Sequence, residues 1–281
     1  MTGFINIDKE SGKSSAFAVN RIKRLTGTPC GHMGTLDPLA SGVLPVGVGK
    51  ASRLFDYFLA KKKEYIARFR FGATSDTLDS EGEVTQTTEH IPTQEEIRSV
   101  LPSFVGEIDQ VPPLYSAKSV GGRRGYELAR AGVEFTLPAK RIRIDEIELL
   151  EQVSEDSFTF RIACGGGTYI RSLARDVAEK TGSLGMMTAL RRTQSGFFTL
   201  DTAVKLETLT EENVGSFLIP TDAVLPFPTL KAEGEERRKL LNGIKLHTDR
   251  ADGSYKLYID ELFYGIAEVN GGVLSVRTKL C

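Results

Sequence analysis

The stretch GHMGTLDPLASGVLPVGVG, residues 31–49, is the most unusual part of this 281-residue chain. It is rich in glycine, proline and aliphatic side chains, and Asp37 is its one carboxylate. An ionised carboxylate in apolar surroundings is costly unless a cation or hydrogen-bond donors compensate it. An aspartate nucleophile would need such a cation, and Arg171 is a candidate. Taken alone, Asp37 before Pro38 is more typical of an ordinary turn, and the stretch predicts an ordered loop that ends in a short strand.

The sequence on both sides of this loop predicts alternating helices and strands. Residues 3–8 indicate a strand, and Ser14 or Ser15 caps a helix that stops at Gly27. Residues 64–72 alternate strictly and place Tyr65 and Ala67 on one face. The other predicted strands are 106–118, 141–150 and 157–164. The other predicted helices cover 51–59 and 126–130, and two more run from Thr93 toward Leu101 and from Thr168 to near Gly182. We expect an α+β fold with a mixed, mainly antiparallel sheet and flanking helices.

Three prolines between residues 219 and 228 mark a boundary. We therefore expect a large domain over 1–226 and a small β-rich module over 227–281. The module should contain a helix at 234–241 followed by short strands near 244–248, 255–260, 263–269 and 273–279.

The composition excludes several classes of protein. A net charge of −1, with 26% charged and 40% hydrophobic residues, is typical of a folded protein and not of a disordered or coiled-coil chain. No apolar run reaches the ~18–20 residues of a membrane span, and the N-terminus lacks a secretion signal, so we expect no membrane association. Three cysteines without CxxC spacing and three scattered histidines argue against a disulfide framework or a metal site. We expect a reducing cytoplasm and no metal.

Charge is segregated along the chain. Residues 74–110 carry nine acids and one base, whereas residues 118–143 carry seven bases and two acids. Further basic clusters lie at residues 21–24, at 61–63 and at Arg191–Arg192. Each cluster alone is more typical of a solvated face, but together they favour a polyanionic partner.

A glycine run, Gly165 to Gly167, precedes the helix that Thr168 opens. Exposed N–H groups at such a helix start can bind an anion. A tight turn capped by Thr168 explains the same residues. Tyr169 and Arg171 follow in the first helical turn, where a rigid element would hold them near one site.

Several stretches in chain order resemble the TruB-type tRNA pseudouridine-55 synthases, which isomerise a uridine in the tRNA T loop. Beside residues 31–49 they are IDKESGKSS (7–15), KKKEYIARFRFGATSDTLDSEGEV (61–84), QVPPLYSAKSVGGRRGYELAR (110–130), CGGGTYIRSLARDV (164–177) and ALRRTQSGFF (189–198). The C-terminal residues 227–281 resemble a PUA-type RNA-binding module. Two positions depart from the family pattern, since Glu10 stands where a proline is usual and Ser119 where a lysine is usual.

The resemblance implies a role for each matching residue. Asp37 would be the nucleophile, Arg171 its ion-pair partner, and Tyr65 would lie against the target base and assist removal of the C5 proton. A stacked base is inaccessible, so the uridine must be flipped out of the loop. The remaining implied contacts are His32 in the space left by the base, Tyr169 and Leu190 in the pocket, and Arg123, Arg124, Arg141, Arg191 and Arg192 on RNA phosphates. Lys9 is an implied substrate contact through its loop, and a surface charge explains it equally well. The resemblance implies no cofactor, no metal and no obligatory protein partner.

Two alternatives remain open on the sequence. A tRNA-binding or tRNA-folding protein could have this shape without the chemistry, and such a binder should be insensitive to Asp37→Asn. A synthase subunit that modifies ribosomal RNA in a guide complex is the other alternative. We expect it less because that type carries extra terminal segments and depends on partners.

Overall fold

The computed structural model describes residues 1–59, 61–116, 119–120, 123–124, 131, 133 and 135–281. Its helices are α1 (Ser15–Thr26), α2 (Phe55–Leu59), α3 (Gln94–Val100), α4 (Ile170–Lys180) and α5 (Gly234–Leu241). Its strands up to the boundary are β1 (Gly3–Lys9), β2 (Cys30–His32), β3 (Ser41–Val48), β4 (Lys63–Phe71), β5 (Ala73–Ser75), β6 (Val84–Thr87), β7 (Gly106–Gln110), β8 (Ser119–Val120), β9 (Arg123–Arg124), β10 (Lys140–Gln152), β11 (Ser157–Cys164), β12 (Gly185–Ser195), β13 (Phe198–Thr199) and β14 (Val204–Lys205). The strands after it are β15 (Thr229–Ala232), β16 (Leu246–His247), β17 (Gly253–Ile259), β18 (Leu262–Asn270) and β19 (Val273–Lys279).

A ten-stranded sheet forms the larger part of the molecule. Its strand order is β14-β1-β3-β12-β4-β11-β10-β7, with β2 paired to β3 and β13 paired to β12. Along this sheet only β1 with β14 and β3 with β12 are parallel among the described strands. The predicted α+β class with a mixed, mainly antiparallel sheet is confirmed.

Local sequence signals place the helix ends. The Ser14 hydroxyl accepts from the Phe17 N–H, and α1 ends at Gly27 with φ +60°, both as predicted. Thr93 and Glu96 form a capping box at the start of α3. Helix α4 differs by one residue, since Tyr169 is its N-cap and the Thr168 hydroxyl donates instead to the Gly165 carbonyl.

Other predicted elements are corrected. The strand predicted at 106–118 ends at Gln110, and the helix predicted at 51–59 consists of a 3-10 helix over Gly49–Leu54 followed by α2. Strand β12 was not anticipated, although it lies at the centre of the sheet. The helix predicted at 126–130 lies outside the described residues.

Gly42 lets the loop before β3 approach β12 closely. The two strands pair in parallel, with Arg191 opposite Ser41 and Arg192 opposite Gly42. Gly42 has φ +97°, and a Cβ there would lie 2.2 Å from the Arg192 carbonyl oxygen. Only glycine fits both restrictions. The result is that residues 34–41 are fixed beside the end of β12.

The second sheet occupies residues 229–279, within the range predicted for the C-terminal module. Its order is β15-β17-β18-β19-β16, and it has its own apolar cluster around Leu257 and Leu274. Ile266 of this sheet and Leu280, which follows it, instead join a cluster of the larger part that contains Phe4. The Arg53 guanidinium donates to the Lys279 carbonyl over 3.0 Å. The module therefore packs on the larger part. No helix among the described residues is both long and apolar enough to cross a membrane.

Candidate active site

An ion pair between Asp37 and Arg171 lies at the centre of the candidate site. The Arg171 Nε is 3.0 Å from Asp37 Oδ2, and the Asp37 side chain is 34% exposed whereas that of Arg171 is 9% exposed. Arg171 also donates to the Thr77 carbonyl over 2.8 Å and to the Tyr115 carbonyl over 3.0 Å. The guanidinium is thus held on several sides, and one edge of the carboxylate remains accessible to a substrate.

Asp79 is a second carboxylate at Arg171 and was missed by sequence reasoning. Its Oδ2 is 3.6 Å from Arg171 Nη1, and its side chain is only 5% exposed. Its Oδ1 accepts from the Thr77 hydroxyl over 2.6 Å and from the Glu81 N–H over 3.1 Å. In the sequence it is one of nine acids in residues 74–110, and only the fold distinguishes the buried one.

Ser15, at the start of α1, fixes the Asp37 loop. The Ser15 hydroxyl donates to the Leu36 carbonyl over 2.7 Å and accepts from the Leu36 N–H over 2.9 Å. The Asp37 carbonyl accepts from the Ala40 N–H over 3.0 Å. The backbone on both sides of the aspartate is therefore bonded, so its side chain starts from a defined position.

The position of Arg192 differs from the one expected for a phosphate contact. The residue was predicted to contact RNA phosphates, yet it is 1% exposed and donates to three backbone carbonyls: Val43 at 2.7 Å, Gly34 at 3.1 Å and Thr35 at 3.4 Å. A buried guanidinium whose donors are directed at these carbonyls cannot also reach an RNA chain on the surface. Its role is to hold the loop that carries Asp37.

Lys9 has a similar structural role in place of the predicted substrate contact. Its side chain is buried, and its Nζ donates to the carbonyls of Pro38 at 3.2 Å, Glu10 at 2.9 Å and Lys13. Burial lowers the pKa of Lys9 to about 8, against the opposing effect of Asp37. The lysine ties the first loop of the chain to the residue that follows the aspartate.

Tyr65 and Leu190 lie on one face of the sheet. Tyr65 in β4 is opposite Arg192 in β12, and Leu190 is opposite Ala67 two residues further along β4. Side chains two residues apart in a strand point the same way. Both are buried, and burial raises the pKa of the Tyr65 phenol to about 12, so it is protonated at neutral pH.

Gln110 fixes the start of α4. The Tyr169 N–H donates to Gln110 Oε1 over 2.9 Å, and Gln110 Nε2 donates back to the Tyr169 carbonyl over 3.1 Å. The Gly165 N–H donates to the Arg143 carbonyl over 2.8 Å. The N–H groups of Gly165 and Tyr169 are thus already bonded and not available to an anion. Tyr169 itself is partly buried, which raises the pKa of its phenol.

His32 ends β2 close to the Asp37 loop. Its ring centroid is 6.5 Å from that of Phe55, in an edge-to-face arrangement. Burial, and then the charge of Arg192, lower the pKa of His32, so its imidazole is neutral at pH 7. Its Nδ1 is buried without a hydrogen-bond partner among the described residues.

The remaining predicted phosphate contacts are only partly described. Arg141 is exposed and lies 3.3 Å from Glu107 and 3.4 Å from Asp109. Arg191 is partly exposed and lies 3.0 Å from Asp8. The side chains of Arg123 and Arg124 lie outside the described residues. Among the residues that the structure describes, no three His, Cys, Asp or Glu side chains are grouped to hold a metal ion.

Two family models match adjacent parts of the chain. The model of the TruB family pseudouridylate synthase N-terminal domain matches residues 23–170, more than half of the chain, and that of the tRNA pseudouridylate synthase B C-terminal domain matches residues 171–225. The chain belongs to the TruB family. Asp37 and Tyr65 lie in the first matched region, and Arg171 begins the second.

Curated TruB relatives match over almost the whole chain. The tRNA pseudouridine synthase B of Clostridium perfringens (strain 13) is 40% identical over 287 residues, covering 99% of this chain and 95% of that protein. The protein of the same name from Clostridium kluyveri is 39% identical over 275 residues, covering 95% of each chain. The resemblance noted in the sequence is confirmed, and the chain is a pseudouridine synthase, an isomerase.

Solved structures support the fold. A Cbf5-Nop10-Gar1 complex matches with a TM-score of 0.73 at 24% identity, covering 99% of this chain and 85% of that chain. An H/ACA RNP bound to a substrate RNA containing 2'-deoxyuridine matches with a TM-score of 0.72 at 23% identity, with the same coverage. At this identity the likeness concerns the fold alone. It extends through the C-terminal sheet of this TruB chain.

Proposed function

We propose that this TruB chain isomerises the uridine at position 55 in the T loop of tRNA to pseudouridine. The observation that carries the proposal is the 3.0 Å ion pair of a partly exposed Asp37 with a buried Arg171. The choice of tRNA is supported by the name of the curated relatives, tRNA pseudouridine synthase B. Recognition of the T arm, and of position 55 within it, rests on the resemblance of the catalytic motifs.

Asp37 acts as the nucleophile. Arg171 engages Oδ2, which leaves Oδ1 for attack. The attack is on ribose C1′ or on the uracil ring. The glycosidic bond from N1 to C1′ then breaks, the base rotates, and C5 forms the new bond to C1′. The bond between Asp37 and the substrate breaks as well, which restores the free carboxylate. C5 loses its proton and N1 gains one, so the product is an isomer of the substrate and no cofactor is required.

Tyr65 and Leu190 form the apolar surface against which the uracil packs. Both side chains share the face of the sheet beside the Asp37 loop. Burial raises the pKa of the Tyr65 phenol to about 12, so the phenol is protonated at neutral pH. Tyr65 therefore assists removal of the C5 proton by orienting the ring, and the neutral phenol does not carry the charge of a base.

The target base leaves the T-loop stack before reaction. A base inside a stack is out of reach of a carboxylate. Extrusion costs a few kcal/mol, which contacts in the site must compensate. His32, a neutral ring at the end of β2, occupies the vacated space and stacks on the remaining bases. Stacking on such a ring is worth about 1–3 kcal/mol per base, enough to offset the extrusion.

Arg191 contacts the RNA backbone, together with Arg141, Arg123 and Arg124. Each neutralised phosphate contributes about −0.7 to −0.9 to the slope of log affinity against log salt. Arg191→Gln is expected to flatten that slope by about one such contact. Arg98→Gln, in the acidic part of the chain, is the matched control and should leave the slope unchanged. An unchanged slope for Arg191→Gln would remove this residue from the RNA contact.

The proposal is tested with purified protein and an unmodified tRNA transcript, alongside its isolated T-arm hairpin. Carbodiimide labelling followed by primer extension locates any pseudouridine. We expect a stop at the T-loop uridine with the wild type and with the exposed control Asp201→Asn, and none with Asp37→Asn, while RNA affinity is retained. Tight binding without a stop for the wild type would favour a tRNA-binding protein. Activity of Asp37→Asn would overturn the role of Asp37.

The same assay tests the absence of an obligatory partner. The purified chain alone should modify the transcript, and a requirement for added extract would contradict this. The three cysteines are free in the structure, which agrees with work in a reducing cytoplasm. Localisation by fractionation of cells is the direct check.

A further inference from the structure

A small open cavity of about 230 Å³ lies beside Arg68 on the large sheet. Arg68 and Tyr65 are three residues apart in β4, so their side chains project from opposite faces of the sheet. Thr159 of β11 lies opposite Arg68 on one side, and Ala189 of β12 lies opposite it on the other. All three line the cavity, which therefore belongs to the face that points away from Tyr65.

The cavity exists because β12 is left uncovered along a short stretch. Strand β3 joins β12 at Arg191 and Arg192, so residues 188–190 precede the paired part. Ala189 in this stretch is exposed and has only a methyl group to fill the space beside Arg68. The side chains around the space are consequently accessible to a ligand.

Arg68 differs from its neighbouring arginines in having no acidic partner. Arg70, two residues further along β4, lies 2.7 Å from Asp156. Arg161, on the same face of β11, lies 2.7 Å from Glu146. The exposed Arg68 side chain makes no ion pair or hydrogen bond with any residue that the structure describes. Its charge is therefore available to an anion.

A second arginine and a buried hydroxyl line the same cavity. Arg191 lies 3.0 Å from Asp8 through Nη2 and 3.5 Å from the Ser41 hydroxyl through Nη1, and these two contacts leave further N–H donors of its guanidinium unused. Thr159 is 8% exposed, and its Oγ1 is buried without a hydrogen-bond partner among the described residues. A buried hydroxyl without a partner is unfavourable unless a ligand supplies one.

These groups suit a phosphate. Guanidinium groups bind phosphate oxygens through two parallel N–H donors, and a hydroxyl can donate to a further oxygen. The cavity is smaller than the about 300–1,000 Å³ of ordinary small-molecule sites, and it is open to solvent. A single phosphate group whose chain continues outside the cavity therefore fits better than a whole small molecule.

The cavity is close to the reacting loop but faces away from the target base. Leu39, which lines it, is two residues after Asp37, and two residues span at most about 7 Å. In the proposed function the uracil packs on the face that carries Tyr65. A phosphate at Arg68 therefore belongs to a different part of the RNA from the loop at Asp37.

We propose that Arg68, Arg191 and Thr159 bind a backbone phosphate of the tRNA that lies outside its T arm. The inference rests on the proposed function in taking tRNA as the substrate. It adds an RNA contact on the second face of the sheet. Folded tRNA can make this contact, whereas the isolated T-arm hairpin lacks the segment that would reach it.

The test compares three variants on two RNAs. Arg68→Gln removes the unpaired charge, and Arg70→Gln, on the same face of the same strand, is the matched control with an identical change in net charge. Thr159→Val removes the hydroxyl and keeps the shape of the side chain. Affinity for the full-length transcript and for the T-arm hairpin is measured by fluorescence anisotropy over a series of salt concentrations in a phosphate-free buffer.

We expect Arg68→Gln to reduce the slope of log affinity against log salt by about 0.7–0.9 on the full-length transcript, the contribution of one phosphate contact. Its slope on the hairpin should equal that of the wild type, and Arg70→Gln should match the wild type on both RNAs. Thr159→Val should weaken binding of the transcript about tenfold, as for one lost hydrogen bond to a charged group.

Stability separates a ligand contact from a structural role of Thr159. Its hydroxyl has no partner among the described residues, so Thr159→Val should not lower the free energy of unfolding in urea. A loss of stability that accompanies the loss of affinity would show that the hydroxyl supports the sheet, and would remove it from the subsite.

Three results would overturn the proposal. An unchanged slope for Arg68→Gln on the transcript excludes a phosphate contact, and an equal reduction on the hairpin places the contact within the T arm. Inorganic phosphate as the true ligand would raise the free energy of unfolding of the wild type but not of Arg68→Gln, while the RNA slopes stay equal. Failure of the proposed function is seen separately, as absence of pseudouridine when the wild type acts on the hairpin.

Discussion

At the scale of single residues, the chemistry depends on how Arg171 is oriented. A guanidinium on a free side chain would sample many rotamers and lose entropy on pairing with Asp37. Here the carbonyls of Thr77 and Tyr115 accept N–H groups of Nη1 and Nη2, and Asp79 lies 3.6 Å from the same Nη1. The Nε is therefore left to face Asp37. Since Asp79 is buried and Asp37 is not, the first orients the cation and the second remains accessible for reaction.

Asp79→Asn is expected to reduce kcat about ten- to hundredfold, with a small change in KM. The amide oxygen can still accept from Thr77 and Glu81, so the turn is retained, but the negative charge beside Arg171 is lost. The two groups form an ion pair at 3.6 Å, and a loss of about 1.4–2.7 kcal/mol in the orientation of Arg171 corresponds to that range. Single-turnover rates with saturating RNA measure the effect.

Asp76→Asn is the matched control for this change. Asp76 lies in the same turn and accepts from the Glu83 N–H over 3.0 Å, but it is exposed and no contact joins it to Arg171 among the described residues. Its rate should equal that of the wild type. Equal losses of rate for the two variants would show that the conformation of the turn, and not the charge of Asp79, determines the rate.

At the scale of elements, the sequence predicted what local interactions determine. Helix α1 begins and ends where Ser14 and Gly27 indicate, and the alternation around Tyr65 identified β4. Asp37 was singled out because a carboxylate in an apolar run is unusual.

The features that could not be predicted from the sequence depend on contacts between residues far apart in the chain. Arg192 and the Gly34 carbonyl are 158 residues apart, so nothing near Arg192 distinguishes a buried clamp from a surface cation. The pair Arg191–Arg192 shows this directly, because adjacent residues of β12 point to opposite faces and only one is exposed. Burial of Lys9 and Asp79 is determined in the same way, by the segments that pack over them.

The close approach of the Asp37 loop to β12 gives a prediction for Gly42. Gly42→Ala should lower the free energy of unfolding by more than the roughly 1–2 kcal/mol of left-handed backbone strain, because its Cβ would also meet the Arg192 carbonyl at 2.2 Å. Urea unfolding measures the loss, and activity should fall with it as the loop shifts.

Gly12→Ala is the control that separates the backbone strain of Gly42→Ala from its steric clash with the Arg192 carbonyl. Gly12 has φ +81°, and a methyl group added there would meet open space, with nothing within 4 Å. It should therefore show the strain alone. Equal destabilisation by the two substitutions would mean that the sheet yields at Gly42 and that the close approach is not required.

At the scale of the whole molecule, buried cations surround the loop that carries the nucleophile. Arg192 and Lys9 hold it from two sides, and Lys63 lies buried at the start of β4, donating to the carbonyls of Leu59 and Lys61 over 2.9 and 2.8 Å. Burial lowers the pKa of both lysines from 10.5 to about 8. Burial of these charged ammonium groups therefore lowers the free energy of unfolding at neutral pH, while their hydrogen bonds hold the surrounding backbone in place.

This effect gives the stability of the protein a definite pH dependence. Between about pH 8 and 10.5 the unfolded chain keeps protons on Lys9 and Lys63 that the folded chain releases, so stability rises with pH through these groups. Cys164 and Tyr65 act in the opposite sense, since burial raises the pKa values of their side chains to about 11 and about 12. Their effect develops mainly above about pH 9, the ordinary pKa of a cysteine, and it is common to the wild type and a lysine variant. The lysines are therefore best observed from pH 8 to 9.

Over that interval each lysine should add about 1 kcal/mol to the free energy of unfolding. The double variant Lys9→Met, Lys63→Met lacks both groups, so its free energy of unfolding should rise about 2 kcal/mol less than that of the wild type between pH 8 and 9. Urea titrations at the two pH values measure the difference, and any change in absolute stability of the variant cancels in the comparison. Parallel curves would mean that both ammonium groups remain charged in the folded protein, stabilised by the carbonyls they contact. In that event the loop around Asp37 would be held by full positive charge across the whole pH range in which the enzyme is folded.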